Sequence, residues 1–388
     1  MEGTIALWFD PLEPDRQAPC LELHVNLWRD LSADFNFFDV GFRLSEIENL
    51  RRFHLFFPVP LRLDCMSDLG ETLRYADTLK AVFNDLVTAG SGDSGFYGTE
   101  LDGKPHLTVQ MLDIDRDLSL EPVAMPASDG TIVTFGESLC DRMRSVGAGG
   151  HYVRLRIHLH GRSRDLFSSE IAAGDWRLTT ATSITETTEF RFNERRSYPD
   201  VVARRVGEGA FRIEKIHYFL IRDIEQQLTS QHSPLRNVRR LEAGLWTPYL
   251  QGEPTRTSTW RAPAGVVRRL AIYHWSSKAN DDAFVESFTA FASFRAARVH
   301  LGIYAVAIVL FGAMGSLLAA IISARLSHPI PSTQLHADLL AAAAVAGCIL
   351  AYWLVVAMPW RALGARLKAL ARRVMQSIGT RLKRNAQS

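Results

Sequence analysis

Along the first 225 residues, apolar positions fall in short runs that alternate with polar ones at every second residue, the period of half-buried strands. Such runs extend from Thr4 to Phe9, Leu21 to Trp28, Phe35 to Leu44, Arg52 to Leu61, Leu107 to Ile114, Thr131 to Phe135, His151 to His160, Phe190 to Phe192 and Phe211 to Ile221. A helical period is clear only from Asp68 to Val87, where Leu69, Leu73, Ala76, Leu79, Phe83 and Val87 fall near one face. The pattern predicts a mainly β fold, a sandwich or barrel over residues 1–225 with one inserted helix. Gly147, Gly149 and Gly150 mark the place where it would divide into two lobes. Residues 226–280, with Ser233-Pro234, Thr247-Pro248 and Glu253-Pro254, read as a connector.

Two stretches depart from this pattern. Leu301 to Ala324 carries no charge, and its 24 residues would span about 36 Å as a helix, against roughly 30 Å of bilayer hydrocarbon. Leu339 to Trp360 is a second charge-free run, with Tyr352, Trp353 and Trp360 towards its C-terminal end. A C-terminal two-helix transmembrane hairpin is predicted, joined by an external link at 325–338 that contains Pro329 and Pro331. Asn280, Asp281 and Asp282 resemble a helix start, and Phe284, Phe288 and Phe291 form a stripe, so 281–300 reads as a juxtamembrane helix. Leu363, Leu367, Leu370, Val374, Ile378 and Leu382 recur between basic residues, the pattern of a basic amphipathic tail helix (361–388) lying on anionic lipid.

Charge supports this division. From Arg295 onwards there are 11 Lys or Arg and a single acid, Asp338, which leaves 33 basic and 41 acidic residues before it. So acidic a front part excludes broad binding of long nucleic acid, which needs an extended basic face. Basic residues flank both apolar runs outside the link, where Arg325 stands alone, so both termini are expected in the cytoplasm. Six of the 44 basic residues are Lys, a bias common in GC-rich bacterial genomes, which points to a bacterial inner membrane. Cys20, Cys65, Cys140 and Cys348 are scattered without a CxxC, so neither a zinc site nor a disulfide framework is expected. Neither apolar run holds an ionisable residue, which disfavours a transporter. Gly312 with Ser316, Gly315 with Ala319, and Ala343 with Gly347 set small residues four apart, allowing close helix packing within the hairpin or between subunits.

The clearest candidate chemistry lies at His151 to His160. Val153, Leu155, Ile157 and Leu159 point one way along this strand, and Arg154, Arg156, His158 and His160 the other. That basic face could receive a phosphate or nucleotide through guanidinium groups, or be a solvated outer face with acidic neighbours. A second basic cluster, which includes Arg191, Arg195 and Arg196, would complete an anion pocket if it met this strand, and is otherwise a set of surface ion pairs. His158 and His160 lack an identifiable third ligand, so neither metal nor cofactor is expected. Gly92-Asp93-Ser94-Gly95 resembles the nucleophile motif of trypsin-like proteases, but Phe96 stands where that family has glycine and no matching histidine motif precedes it. His106-Leu107-Thr108 resembles one half of the paired signature of two-histidine phosphoesterases, without a second copy. No catalytic residue is assigned, and a non-enzymatic protein is expected.

A β-rich domain on two apolar runs resembles, in organisation, the two-transmembrane β-domain effectors of bacterial anti-phage systems governed by cyclic nucleotides. The resemblance implies a membrane-tethered sensor or effector that binds a cyclic nucleotide or another phosphorylated small molecule and acts in the bilayer as a homo-oligomer. The alternative is a membrane-anchored scaffold that binds a protein.

Overall fold

The computed structural model describes residues 4–297 except 31–34, 76, 94, 127–128, 148, 172–182, 252–264 and 280–282, together with isolated helical positions between 308 and 347. The fold is mainly β. In chain order the strands are β1 (Ala6–Pro11), β2 (Cys20–Asp30), β3 (Phe35–Ser45), β4 (Leu50–Phe57), β5 (Met66–Asp68), β6 (Val87–Asp93), β7 (Phe96–Leu101), β8 (Lys104–Gln110), β9 (Leu118–Val123), β10 (Gly130–Phe135), β11 (Gly150–His158), β12 (Ser168–Ile171), β13 (Ser183–Phe192), β14 (Arg212–Asp223), β15 (Gln227–Gln231), β16 (Asn237–Arg240), β17 (Leu270–Lys278) and β18 (Phe288–Ala297). The helices are α1 (Gly70–Arg74), α2 (Thr78–Phe83), α3 (Ile114–Asp117), α4 (Glu137–Val146), α5 (Asp200–Glu208) and α6 (Ala243–Gln251).

A large mixed sheet runs in the order β16-β17-β14-β2-β3-β11-β8-β7-β6, with β5 also paired to β11. Two smaller sheets, β1-β4-β10-β9 and β12-β13-β18-β15, accompany it. Alternation in β2, β3, β11 and β14 turns Leu23, Val25, Val40, Phe42, Val153, Leu155, Ile216 and Leu220 into one core shared with Leu7, Phe53 and Phe135 of the first small sheet and Phe190 and Phe294 of the second. Phe53 and Phe135 stack at 4.2 Å and Phe42 meets both edge-on at 5.2 Å. Truncating any of these buried rings to Ala is expected to cost about 3–5 kcal/mol. The other face of the large sheet is covered by a helical layer, where Leu73 of α1, Leu79 and Ala81 of α2, and Trp246, Tyr249 and Leu250 of α6 pack on Trp28, Phe37, Tyr152 and Ile221.

Several expectations need correction. The helix read from Asp68 to Val87 is two short helices, because the Thr78 hydroxyl donates to the carbonyls of Thr72 and Tyr75 and Asn84 takes a left-handed conformation that ends α2. Residues 226–280 are not a connector, since β17 pairs with β14 from Lys215–Lys278 to Asp223–Leu270. No boundary falls at Gly147 to Gly150: β11 pairs with β3 along its length, and residues 1–174 and 184–297 form one compact unit. Residues 288–297 are strand β18, not a juxtamembrane helix. Its spacing-two set of Ala290, Ala292 and Phe294 is buried and its backbone pairs with β15.

Most of the expected hairpin, link and tail lies outside the described residues. Among the described residues no helix is long and apolar enough to cross a membrane. Those described between 308 and 347 are helical, and Ile308, Val309, Phe311, Leu318, Ile322 and Leu340 are exposed. Gly312, Gly315, Ser316 and Gly347 are exposed as well, and no described atom lies within 4 Å of a Cβ built on any of the three glycines.

Candidate functional site

The same alternation that buries Leu23 and Val25 sends Glu22, His24 and Asn26 of β2 to the helix-covered face of the large sheet. In β14, Lys215, His217 and Phe219 emerge on that face, as do Ile272 and His274 in β17. Parallel pairing sets His217 beside His24 and Lys215 beside Glu22. With α2 and β16 at its edges, this face forms a cleft of about 510 Å³, within the range of small-molecule sites.

A continuous chain of polar contacts crosses the sheet. Glu22 Oε1 receives His24 Nε2 at 3.3 Å and His217 Nε2 at 3.1 Å, and His217 Nδ1 meets His274 Nε2 at 2.9 Å. His24 Nδ1 meets the Tyr152 hydroxyl at 3.1 Å, and that hydroxyl accepts from Arg154 Nη1 at 2.6 Å. Gly41 makes this crossing possible. It pairs with His24 on one side and Arg154 on the other, and a Cβ there would overlap the Tyr152 hydroxyl.

Burial acts to raise the Glu22 pKa, but the hydrogen bonds from His217 and His24 and the charge of Lys215 outweigh it and hold the carboxylate well below its usual range. Burial lowers His24 to about 4 against the opposing pull of Glu22, so at neutral pH its Nε2–H donates to Glu22 and Nδ1 accepts from Tyr152. His274 is lowered to about 3 by burial, then by the charges of His217, Arg236, Lys215 and Arg239.

The rim is basic. Arg43 and Lys215 share Glu22, at 3.3 and 3.7 Å. Arg236 donates to the Ser276 hydroxyl at 3.5 Å and Arg239 to the Asn84 amide oxygen at 2.5 Å, so among the described residues both have only neutral side-chain partners. Glu22 and Asp85 are the carboxylates of the lining. Two half-buried aromatic rings flank the space: Phe219 stacks on His274 at 4.3 Å, and Phe83 packs against Tyr152 at 4.9 Å.

Of the residues singled out in the sequence, Arg154 lines this cleft. The face it shares with Arg156 and His158 is not a solvated outer face, because β11 lies inside the sheet and α6 covers it. Arg154 donates to Tyr249 and Asn26, and Arg156 forms a two-bond ion pair with Asp39. Burial, reinforced by the Arg156 charge, lowers His158 to about 3; its ring lies edge-on to Phe37 at 4.7 Å. His160 lies beyond the strand end, exposed, where its backbone N–H bonds the Ser163 hydroxyl. Arg191, Arg195 and Arg196 do not meet this strand. They sit on β13 and the turn after it, in a different sheet, with Arg191 and Arg196 paired to Glu194.

Glu22, His24, His217 and His274 went unnoticed in the sequence, although Leu21 to Trp28 shows the same alternation that drew attention to His151–His160. Sequence distance hid the group, since Glu22 and His217 are 195 positions apart. A scan against protein families and a search of curated proteins return no match to this chain.

Proposed function

We propose that this protein is a membrane-tethered sensor whose β domain binds a phosphorylated, nucleotide-like small molecule in the cleft between β2, β14 and β17, and that ligand binding controls its self-association at the membrane. The observation that carries this reading is the pair Arg236 and Arg239, two rim guanidinium groups with only neutral partners among the described residues, beside Arg43 and Lys215. Guanidinium groups not already committed to carboxylates are suited to phosphate oxygens, and the flanking Phe83 and Phe219 rings offer faces on which a base can stack. The ligand site therefore differs from the β11 face expected from the sequence, with Arg154 common to both. Tethering rests on the two charge-free runs at 301–324 and 339–360 and on the exposed apolar helical positions in the first of them.

Isothermal calorimetry on the full-length protein in detergent tests the reading, with a panel of nucleoside monophosphates and cyclic di- and trinucleotides. Saturable binding of at least one, competed by others of the panel, is the expected result. No binding by any member would overturn it in favour of the scaffold alternative.

A further inference from the structure

We infer that Glu22, His24 and His217 form a transition-metal site at the floor of this cleft, best matched to Zn²⁺. Two imidazoles and one carboxylate are a recognised zinc ligand set when a fourth position stays open to solvent or substrate. Their donor atoms lie within 4.8 Å of one another, and Glu22 Oε1 stands 3.1 Å from His217 Nε2 and 3.3 Å from His24 Nε2. Around an ion bound at about 2.0–2.1 Å, neighbouring tetrahedral ligands are separated by about 3.3 Å, so the carboxylate needs little movement relative to either ring.

The surroundings are organised as ligand supports. Both rings present the same nitrogen, Nε2, to Glu22, while Nδ1 of each is held from behind, that of His24 by the Tyr152 hydroxyl and that of His217 by His274 Nε2. Such partners orient a ligating imidazole and fix its tautomer. An ion held by the two Nε2 atoms would require the other neutral tautomer of each ring, its single proton moved from Nε2 to Nδ1, so that Nδ1–H would donate outward to the Tyr152 hydroxyl or to His274 Nε2. The Glu22 oxygen not shared with the histidines accepts from Arg43 at 3.3 Å. The ligands sit on two adjacent paired strands, which hold positions more closely than loops do.

Arg43, Lys215 and Arg154 oppose a bare cation here, so the fourth ligand is an anion: hydroxide, or a phosphate oxygen entering from the cleft. Metal binding itself does not rest on the nucleotide reading and can be measured without any nucleotide.

The test uses the full-length protein in detergent, stripped with chelator and dialysed against Zn²⁺ or Co²⁺. The expected result is one equivalent of Zn²⁺ per chain by mass spectrometry of the metal, and the intense visible absorption of tetrahedral Co²⁺. Both should be lost in Glu22→Gln and His217→Gln, and His274→Gln, which removes only a supporting contact, should weaken uptake by about 10–100-fold. Circular dichroism identifies variants that fail to fold, in which case the wild-type stoichiometry and Co²⁺ spectrum decide. A wild-type protein that takes up no metal, or folded Glu22→Gln and His217→Gln variants that keep the full equivalent and spectrum, would overturn the site.

Discussion

Arg156 and Asp39 face each other across adjacent strands through two hydrogen bonds, Nε to Oδ1 at 2.7 Å and Nη2 to Oδ2 at 2.9 Å, with both side chains buried. Tyr249 of α6 and Trp28 also donate to Asp39 Oδ2, at 2.7 and 2.8 Å. The pair therefore ties the helical layer to the sheet. Removing one partner leaves a buried charge uncompensated, so Arg156→Met is expected to destabilise the protein by about 3–5 kcal/mol, far beyond the effect of an exposed arginine. Urea unfolding of the single variants Arg156→Met and Asp39→Asn and of the double variant checks this. A double variant that costs less than the sum of the singles is the expected signature of direct coupling.

The rim arginines should behave in the opposite way. Arg236→Gln and Arg239→Gln are each expected to weaken binding of a phosphorylated ligand about tenfold or more while changing stability by no more than about 0.5 kcal/mol. Arg196→Gln, on the turn after β13 and outside the cleft lining, should leave affinity unchanged. Calorimetry and thermal melts on the same samples separate the two effects, and equal affinity losses in all three variants would remove the cleft from consideration.

His158 makes stability depend on pH. Its folded-state pKa of about 3 lies below the ordinary 6.5, chiefly through burial, so between those values the unfolded chain takes up a proton that the folded protein refuses. Stability contributed by the neutral ring is thus fully present above about pH 6.5 and falls as pH drops towards 3. Across that window the wild type should lose up to about 1.4 kcal/mol per pH unit more than His158→Gln. Urea midpoints at pH 7 and pH 4.5 measure the difference, and parallel slopes for the two proteins would refute it.

Topology is open to direct labelling. If, as proposed, both termini are cytoplasmic, a membrane-impermeant thiol reagent applied to intact cells should reach a cysteine placed at Ser332 and miss one placed at Ser388. The reverse pattern would put the β domain on the other side of the membrane.

Self-association is expected to involve the small-residue face of the first apolar run. Gly312 and Gly315 are helical and exposed among the described residues, and small residues at this spacing permit close helix packing. Replacing both by Leu should reduce crosslinked oligomers in detergent by several-fold. Unchanged crosslinking would remove these glycines from the subunit contact.

Strand-level information was legible over much of the first 225 residues, where alternation is regular, because side-chain direction along a strand is set by local covalent geometry; β15 to β18, in segments read as a connector and a helix, were missed. The alternation over Leu21 to Trp28, His151 to His160 and Phe211 to Ile221 correctly marked β2, β11 and β14 and showed that Arg154, Arg156 and His158 share a face. It could not show whether that face meets water. Burial depends on which elements pack against the face, and here α6 brings Tyr249 over Arg154 and Arg156, 95 and about 93 positions away in the chain. The counter-charge is equally remote, since Asp39 reaches Arg156 only through the β3–β11 register. The Glu22, His24 and His217 group shows the same division. Each residue was visible as an outward position on its own strand, yet their meeting requires β14 to lie parallel beside β2 in one particular register. A shift of one residue would have turned the pair to opposite faces, and that choice is made by long-range backbone pairing and core packing, not by the local pattern.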